Sequence, residues 1–210
     1  KDWLAGLAIS EETRATLGAV SDNSEKLLVG HEMVEILHEP NMDDETLQAA
    51  LVFPYCETHL LRQSDIEDEF GSAIADLIDG VRQMEAIKSL HAKNQQDEQQ
   101  VDNIRKMLIA MVADVRAVVI KMAERICTLQ QVKEADEETR VLVARECSAI
   151  YAPLANRLGI GQLKWELEDL AFRYLHPNRY MEIARWLAEK RADRQDYIDE
   201  FVATLSQTLH

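Results

Sequence analysis

The side chains best suited to chemistry in this sequence gather in three short stretches. Cys56, Glu57, Thr58 and His59 follow directly on Phe53-Pro54-Tyr55 and offer a thiol, a carboxylate and an imidazole close together. His31, Glu32 and Glu35 offer another imidazole and two carboxylates, and His31 and Glu35 share one helical face at i,i+4 spacing. Glu166, Glu168 and Asp169 form a purely acidic group. His, Cys, Asp and Glu are the residues that bind metals, and a bound metal makes water nucleophilic. Such a site needs a further donor pair, and none stands at a matching place in the chain. The spacing therefore favours a solvated ion pair for His31–Glu35 and a charged helix face for Glu166, Glu168 and Asp169. Cys127 has no recognisable histidine base nearby and reads as a small apolar group in a buried helix. The run Asn156-Arg157-Leu158-Gly159 places an arginine before a glycine cap. That suits a carboxylate or the last carbonyls of a helix better than a phosphate.

These groups must be positioned by helices. The chain holds only seven glycines and four prolines in 210 residues, and 47% of it is hydrophobic. Ala, Leu, Glu, Arg and Met dominate, and all favour helix. Ser64 with Glu67 predicts a capping box. Ile74, Leu77, Ile78, Val81 and Met84 form a helical stripe after it. Residues 91–100, "HAKNQQDEQQ", are polar and predict a loop. The apolar run from Val101 to Val132 predicts one central helix or a helix pair. An acidic first turn at Asp136–Glu138 predicts the next helix, which Pro153 must kink or interrupt and which Gly159 and Gly161 end. A further helix runs from Gly161 until Pro177 stops it. A long amphipathic helix closes the chain, with Tyr197, Ile198, Phe201, Val202 and Leu205 in its apolar stripe. Pro54 is expected to end or kink the helix begun at Asp43-Asp44. The whole reads as an all-α fold in a single domain, residues 1–210.

The net charge of −15 argues against a nucleic-acid surface, which would need Lys and Arg to neutralise phosphates. The three cysteines, Cys56, Cys127 and Cys147, lack CxxC spacing, which fits a reducing, cytoplasmic compartment. The longest apolar stretch is broken by Asp114, Arg116 and Lys121, so no membrane span is expected. No glycine-rich phosphate loop or GxSxG elbow occurs. The chain opens on Lys1 without Met, as a piece of a longer protein would.

Two stretches carry a stronger signal. "IYAPLANRLGIGQLKWELEDLAFRYLHPNRY" and "NIRKMLIAMVADVRAVVIKMAERI" closely resemble the RelA/SpoT family of guanosine tetra- and pentaphosphate synthetases and hydrolases, and the resemblance covers essentially the whole chain. It implies the family's hydrolase-type domain, an all-helical fold of the HD superfamily. It also implies a synthetase domain beginning near or after residue 210, which would use Mg with ATP and GTP, and a ribosome contact made through the parent protein. In active hydrolases of the family an early histidine, a His-Asp pair and a later Asp hold one manganese ion. By that resemblance the early histidine falls on Val29 and the His-Asp pair on Phe53 and Pro54. The following Glu-Asp pair falls on Glu57 and Thr58. The last metal Asp falls on Glu124, and an Asn linked to nucleotide binding falls on Thr128.

Val29, Phe53 and Pro54 have no side-chain donor for a metal. The resemblance thus implies a member that keeps the synthetase and has lost the hydrolase, with no manganese and no cofactor in this domain. The former pocket is expected to be collapsed and apolar, since Val and Phe gain ~1.5–3 kcal/mol each when fully buried. Two other readings stand beside this one: an active manganese-dependent 3′-pyrophosphohydrolase with a rearranged site using Cys56 or His59, and a module that binds a protein or nucleotide as an allosteric signal.

Overall fold

The computed structural model describes residues 24–57, 63–91, 98–111 and 113–208. Among them there is helix and turn but no strand. In chain order the α-helices are α1 (Ser24–His38), α2 (Asp44–Glu57), α3 (Gln63–Phe70), α4 (Ser72–His91), α5 (Glu98–Met111), α6 (Val115–Gln131), α7 (Glu137–Glu146), α8 (Ala152–Arg157), α9 (Gly161–Leu175) and α10 (Pro177–Thr208). A π-helical segment, Cys147–Tyr151, joins α7 to α8. The all-α expectation holds, and the apolar run after Val101 is a helix pair, α5 and α6.

Helix starts follow the side-chain chemistry of the sequence. Asp43 caps α2, its carboxylate accepting from the Thr46 amide (2.9 Å) and hydroxyl (2.6 Å). Asp114 caps α6 through the Arg116 amide, and Asp136 caps α7 through the Thr139 amide. Arg116 then ties two of these starts together, with Asp43, Glu45 and Asp114 all within 2.8 Å of its guanidinium. Asp43 and Asp114 are held below the usual carboxylate range, burial being overcome at Asp43 by the Thr46 and Arg116 hydrogen bonds and at Asp114 led by the Arg116 bond. Gly159 (φ +75°) ends α8, with Ile160 N–H donating to the Ala155 carbonyl at 3.0 Å.

The centre of the fold is α6, whose residues from Ala117 to Cys127 are all buried. It packs against α1, α2, α4 and α9. Helices α1 and α2 approach closely because Gly30 has no side chain: a Cβ there would stand 2.6 Å from the Leu51 carbonyl oxygen. Phe53 belongs to the hydrophobic core, and Val29 packs against that core.

Several local expectations differ. Pro54 does not end α2, which runs on to Glu57. Proline removes only its own N–H, which would have served the Ala50 carbonyl; separately, the Arg82 guanidinium takes up the Cys56 carbonyl, one of the open carbonyls of the helix end, at 2.8 Å. Ser64 lies inside α3 rather than capping it, and its hydroxyl faces Asp65 at 3.3 Å. Of the stretch 91–100 expected to be a loop, His91 belongs to α4 and Glu98–Gln100 to α5; residues 92–97 lie outside the described residues. Gly161 does not end α8 but opens α9, which stops at Leu175 ahead of Pro177 as expected, and Pro177 itself opens α10. In α10 the side chains of Tyr197, Ile198, Phe201, Val202 and Leu205 lie outside the described residues.

Pro153 interrupts the helix as expected: α7 gives way to the π segment at Cys147, and α8 resumes at Ala152, directly before the proline. The π segment before it absorbs the strain. In a regular helix the Ala149 carbonyl would accept from the amide at position 153, which proline lacks. Arg105, on α5, supplies the missing donor: its Nε donates to the Ala149 carbonyl at 2.9 Å, and its Nη2 donates to the same oxygen. Arg105→Met is therefore expected to cost about 1–3 kcal/mol by leaving that carbonyl short of a donor. Pro153→Ala restores an amide, so it should cost less in the Arg105→Met background than alone. A double-mutant cycle by urea denaturation measures this, and additive effects would show that the two sites do not share the carbonyl.

Candidate functional site

Of the positions singled out by the sequence, Phe53, Glu124 and Thr128 come together where α2 faces α6. Phe53 is fully buried, Pro54 is buried, and Val29 is half-buried against the core. Opposite them α6 presents Lys121, Glu124, Arg125 and Thr128. The Lys121 ammonium is fully buried, 5.8 Å from the centre of the Phe53 ring and 2.9 Å from the Glu124 carboxylate. Arg125 grips the same carboxylate through both Nε (2.7 Å) and Nη2. Thr128 adds its hydroxyl, donating to Glu124 Oε1 at 2.9 Å and to the Glu124 carbonyl at 3.0 Å. Arg125 also reaches Glu146 on α7 at 3.6 Å.

The pocket is therefore collapsed but not apolar throughout. Val29 and Phe53 fill the α1–α2 side as expected. The α6 side keeps its charges, because two cations and two carboxylates lie close enough to neutralise one another without a metal. Lys121, Arg125 and Glu146 do not stand out in the sequence as site residues. The signal was present in the i,i+3 spacing of Lys121 and Glu124, but that spacing reads equally well as a surface pair. Only burial distinguishes the two.

Burial pushes the Glu124 carboxyl upward, but the Lys121 ammonium and the Arg125 guanidinium outweigh it and lower its pKa to about 2. Both carboxylate oxygens are thus committed to protein donors. Val29, Phe53 and Pro54 offer none, and among the described residues no group of three His, Cys, Asp or Glu is placed to hold a metal ion. The residues present do not fit the manganese that the resemblance implies for active hydrolases.

The other candidates separate. His31 Nδ1 and Glu35 form the expected i,i+4 pair at 3.4 Å. Cys56 is buried, its thiol donating to the Val52 carbonyl at 3.4 Å. Cys127 is buried too, and burial together with Glu32 and Glu124 pushes its thiol far above the usual range, so it is no nucleophile. Thr58 and His59 lie outside the described residues, as does the side chain of Glu57. Glu168 pairs with Lys164 at 2.7 Å on an exposed face of α9, as the charged-face reading expects. Glu166 is half-buried, and burial with the Glu39 charge raises its pKa.

Comparison with known proteins adds the context of this site. The HD-domain family matches residues 8–161. The GTP pyrophosphokinase of Escherichia coli (strain K12) is 54% identical over 97% of this chain, which spans 29% of that protein. The GTP pyrophosphokinase of Haemophilus influenzae is 47% identical over the full chain and 30% of its own length. A guanosine-3′,5′-bis(diphosphate) 3′-pyrophosphohydrolase of Vibrio cholerae is 39% identical over 84% of this chain and 24% of its own. The chain thus spans less than a third of the relatives it matches. No helix among the described residues is long and apolar enough to cross a membrane.

The depressed pKa of Glu124 has a measurable consequence. A carboxylate whose folded pKa lies below its unfolded value of about 4.5 contributes stability above that pH. That contribution, on the order of 3 kcal/mol, should be lost as pH falls from about 4.5 towards 2. Denaturation of Glu124→Gln across the same window should lose less with acid than the parent. Equal acid slopes would show that Glu124 is not held ionised in this way.

Proposed function

Since the chain belongs to the RelA/SpoT family and carries its HD domain, we propose that it is a domain without hydrolase activity, retained to support and regulate the synthetase region of a GTP pyrophosphokinase. The observation that carries this reading is the buried Phe53–Lys121–Glu124 arrangement. Phe53 fills one of the family's ligand positions, and Glu124, at another, spends both oxygens on Lys121, Arg125 and Thr128. Without a metal or a substitute base no water here is activated, and Cys127 is inert.

On this reading the chemistry belongs to a C-terminal synthetase domain of the same protein. There pyrophosphate passes from ATP to GTP or GDP, with Mg bound to the nucleotides. The ribosome is a partner of the whole protein, and the setting is cytoplasmic. The domain meets its neighbour through α10. That helix packs chiefly on α9, and residues 181–191 are exposed all around it. Ile183, Trp186 and Leu187 lie at i, i+3 and i+4 there and remain 47–57% exposed, an apolar stripe in need of cover.

The likeness to a named pyrophosphohydrolase makes the activity assay decisive. With manganese present, the chain should release no pyrophosphate from ppGpp while an authentic family hydrolase does; turnover at a comparable rate would favour the rearranged-site reading. Val29→His, Phe53→His, Pro54→Asp and Glu124→Asp together could regain manganese binding. Activity should stay low and stability should fall, because polar groups enter a packed site and Thr58 and Thr128 remain.

The regulatory part has its own test in the longer protein. Coupling between domains is typically ~1–3 kcal/mol, so Trp186→Ala should change the synthetase rate about 5-fold or more. Basal and ribosome-stimulated rates that both stay unchanged would reduce the domain to a structural remnant.

A further inference from the structure

The outer face of α9 carries an open cavity of about 530 Å³ that the proposed function does not use. Its walls are Trp165, Glu168, Asp169, Phe172 and His176 on and just after α9, and Ser148 on the π segment. Trp165 is 71% exposed, more than any other large hydrophobic residue described, although a side chain of that size is usually well buried. Phe172 stands two turns further along, about 10 Å away on the helix axis, and packs against His176 and Tyr180. The carboxylates lie between the two aromatic rings in sequence. Glu168 is taken by Lys164, whereas Asp169 is exposed and has no ion-pair partner among the described residues.

An exposed indole face beside a carboxylate is chemistry for a cation. The negative face of the ring attracts it, the carboxylate neutralises it, and a planar guanidinium can stack on one while bonding the other. The wall opposite is fixed, because Arg105 holds the π segment at Ala149, next to Ser148. We propose that this groove docks an arginine-bearing segment of a partner protein, with one guanidinium seated on Trp165 against Asp169. Charge complementarity selects this occupant: Asp169 is the groove's carboxylate without an ion-pair partner among the described residues, and the chain as a whole carries −15.

The probe is an eight-residue peptide alternating arginine and alanine, titrated calorimetrically into the 210-residue chain at low and at physiological salt. Saturable binding should persist at physiological salt, and a lysine–alanine peptide should bind more weakly. Trp165→Ala and Asp169→Asn should each weaken binding roughly 3- to 30-fold. Both residues are exposed, so neither change threatens the fold. A control pair on α7, Glu137→Gln with Glu138→Gln, removes more charge and should leave binding near the parent value. Equal weakening by the control would reduce the effect to general attraction and overturn the proposal, as would absence of binding. A dimer of the parent that Trp165→Ala dissolves would assign the groove to a second copy instead. Binding by this chain but not by the longer protein would assign it to the remainder of the protein. None of these readouts depends on hydrolase or synthetase activity, so each stands apart from the reading above.

Discussion

Everything in this domain is arranged around a charged group buried at the middle of its central helix. Helix α6 is buried from Ala117 to Cys127, yet it carries Lys121, Glu124 and Arg125 into the core. An isolated ion in such a place is prohibitive, so the helix can sit there only if its charges close on one another. They do: Glu124 receives Lys121, Arg125 and Thr128, and Arg125 reaches across to Glu146 on α7. Replacing such a group wholesale by apolar residues can be harmless, but losing one member leaves an uncompensated buried charge. The helices around α6 are therefore constrained in position as well as in packing. α2 must bring Phe53 over the ammonium, and α7 must end where Glu146 meets Arg125.

A second theme is how the fold treats its prolines. Each proline inside a helix deletes one backbone donor and crowds the carbonyl four residues earlier. At Pro54 the helix simply continues to Glu57. At Pro153 the backbone widens into a π turn, and Arg105 replaces the missing amide at Ala149. An arginine from a distant helix suits this task because its planar fork can put more than one N–H on a single oxygen. The result also links α5 to the α7–α8 junction, so a local backbone defect becomes a tertiary tie.

These ties explain how a domain can lose catalytic groups and keep its architecture. The α1–α2 contact depends on Gly30, not on any ligand; Phe53 belongs to the hydrophobic core, and Val29 packs against that core. The carboxylate that remains at Glu124 does not need a metal, since cations of the chain already neutralise it. Exposed surface remains in the groove along α9 and the apolar stripe of α10.

The sequence by itself determined the all-α class and the end of α8 at Gly159, because composition, periodicity and a left-handed glycine act locally; that the run after Val101 is two helices, not one, came from the structure. It also determined that Val29, Phe53 and Pro54 cannot bind a metal, since that follows from side-chain type alone. The donors to the Cys56 carbonyl at the end of α2 and to the Ala149 carbonyl before Pro153 come from far along the chain, where local rules do not reach. Arg82 and Arg105 lie 26 and 44 residues from the carbonyls they satisfy. The apolar pocket was half right for the same reason. Whether Lys121 and Glu124 form a solvated pair or a buried one is settled by what covers them, and α1, α2 and α9 are brought there only by the tertiary fold.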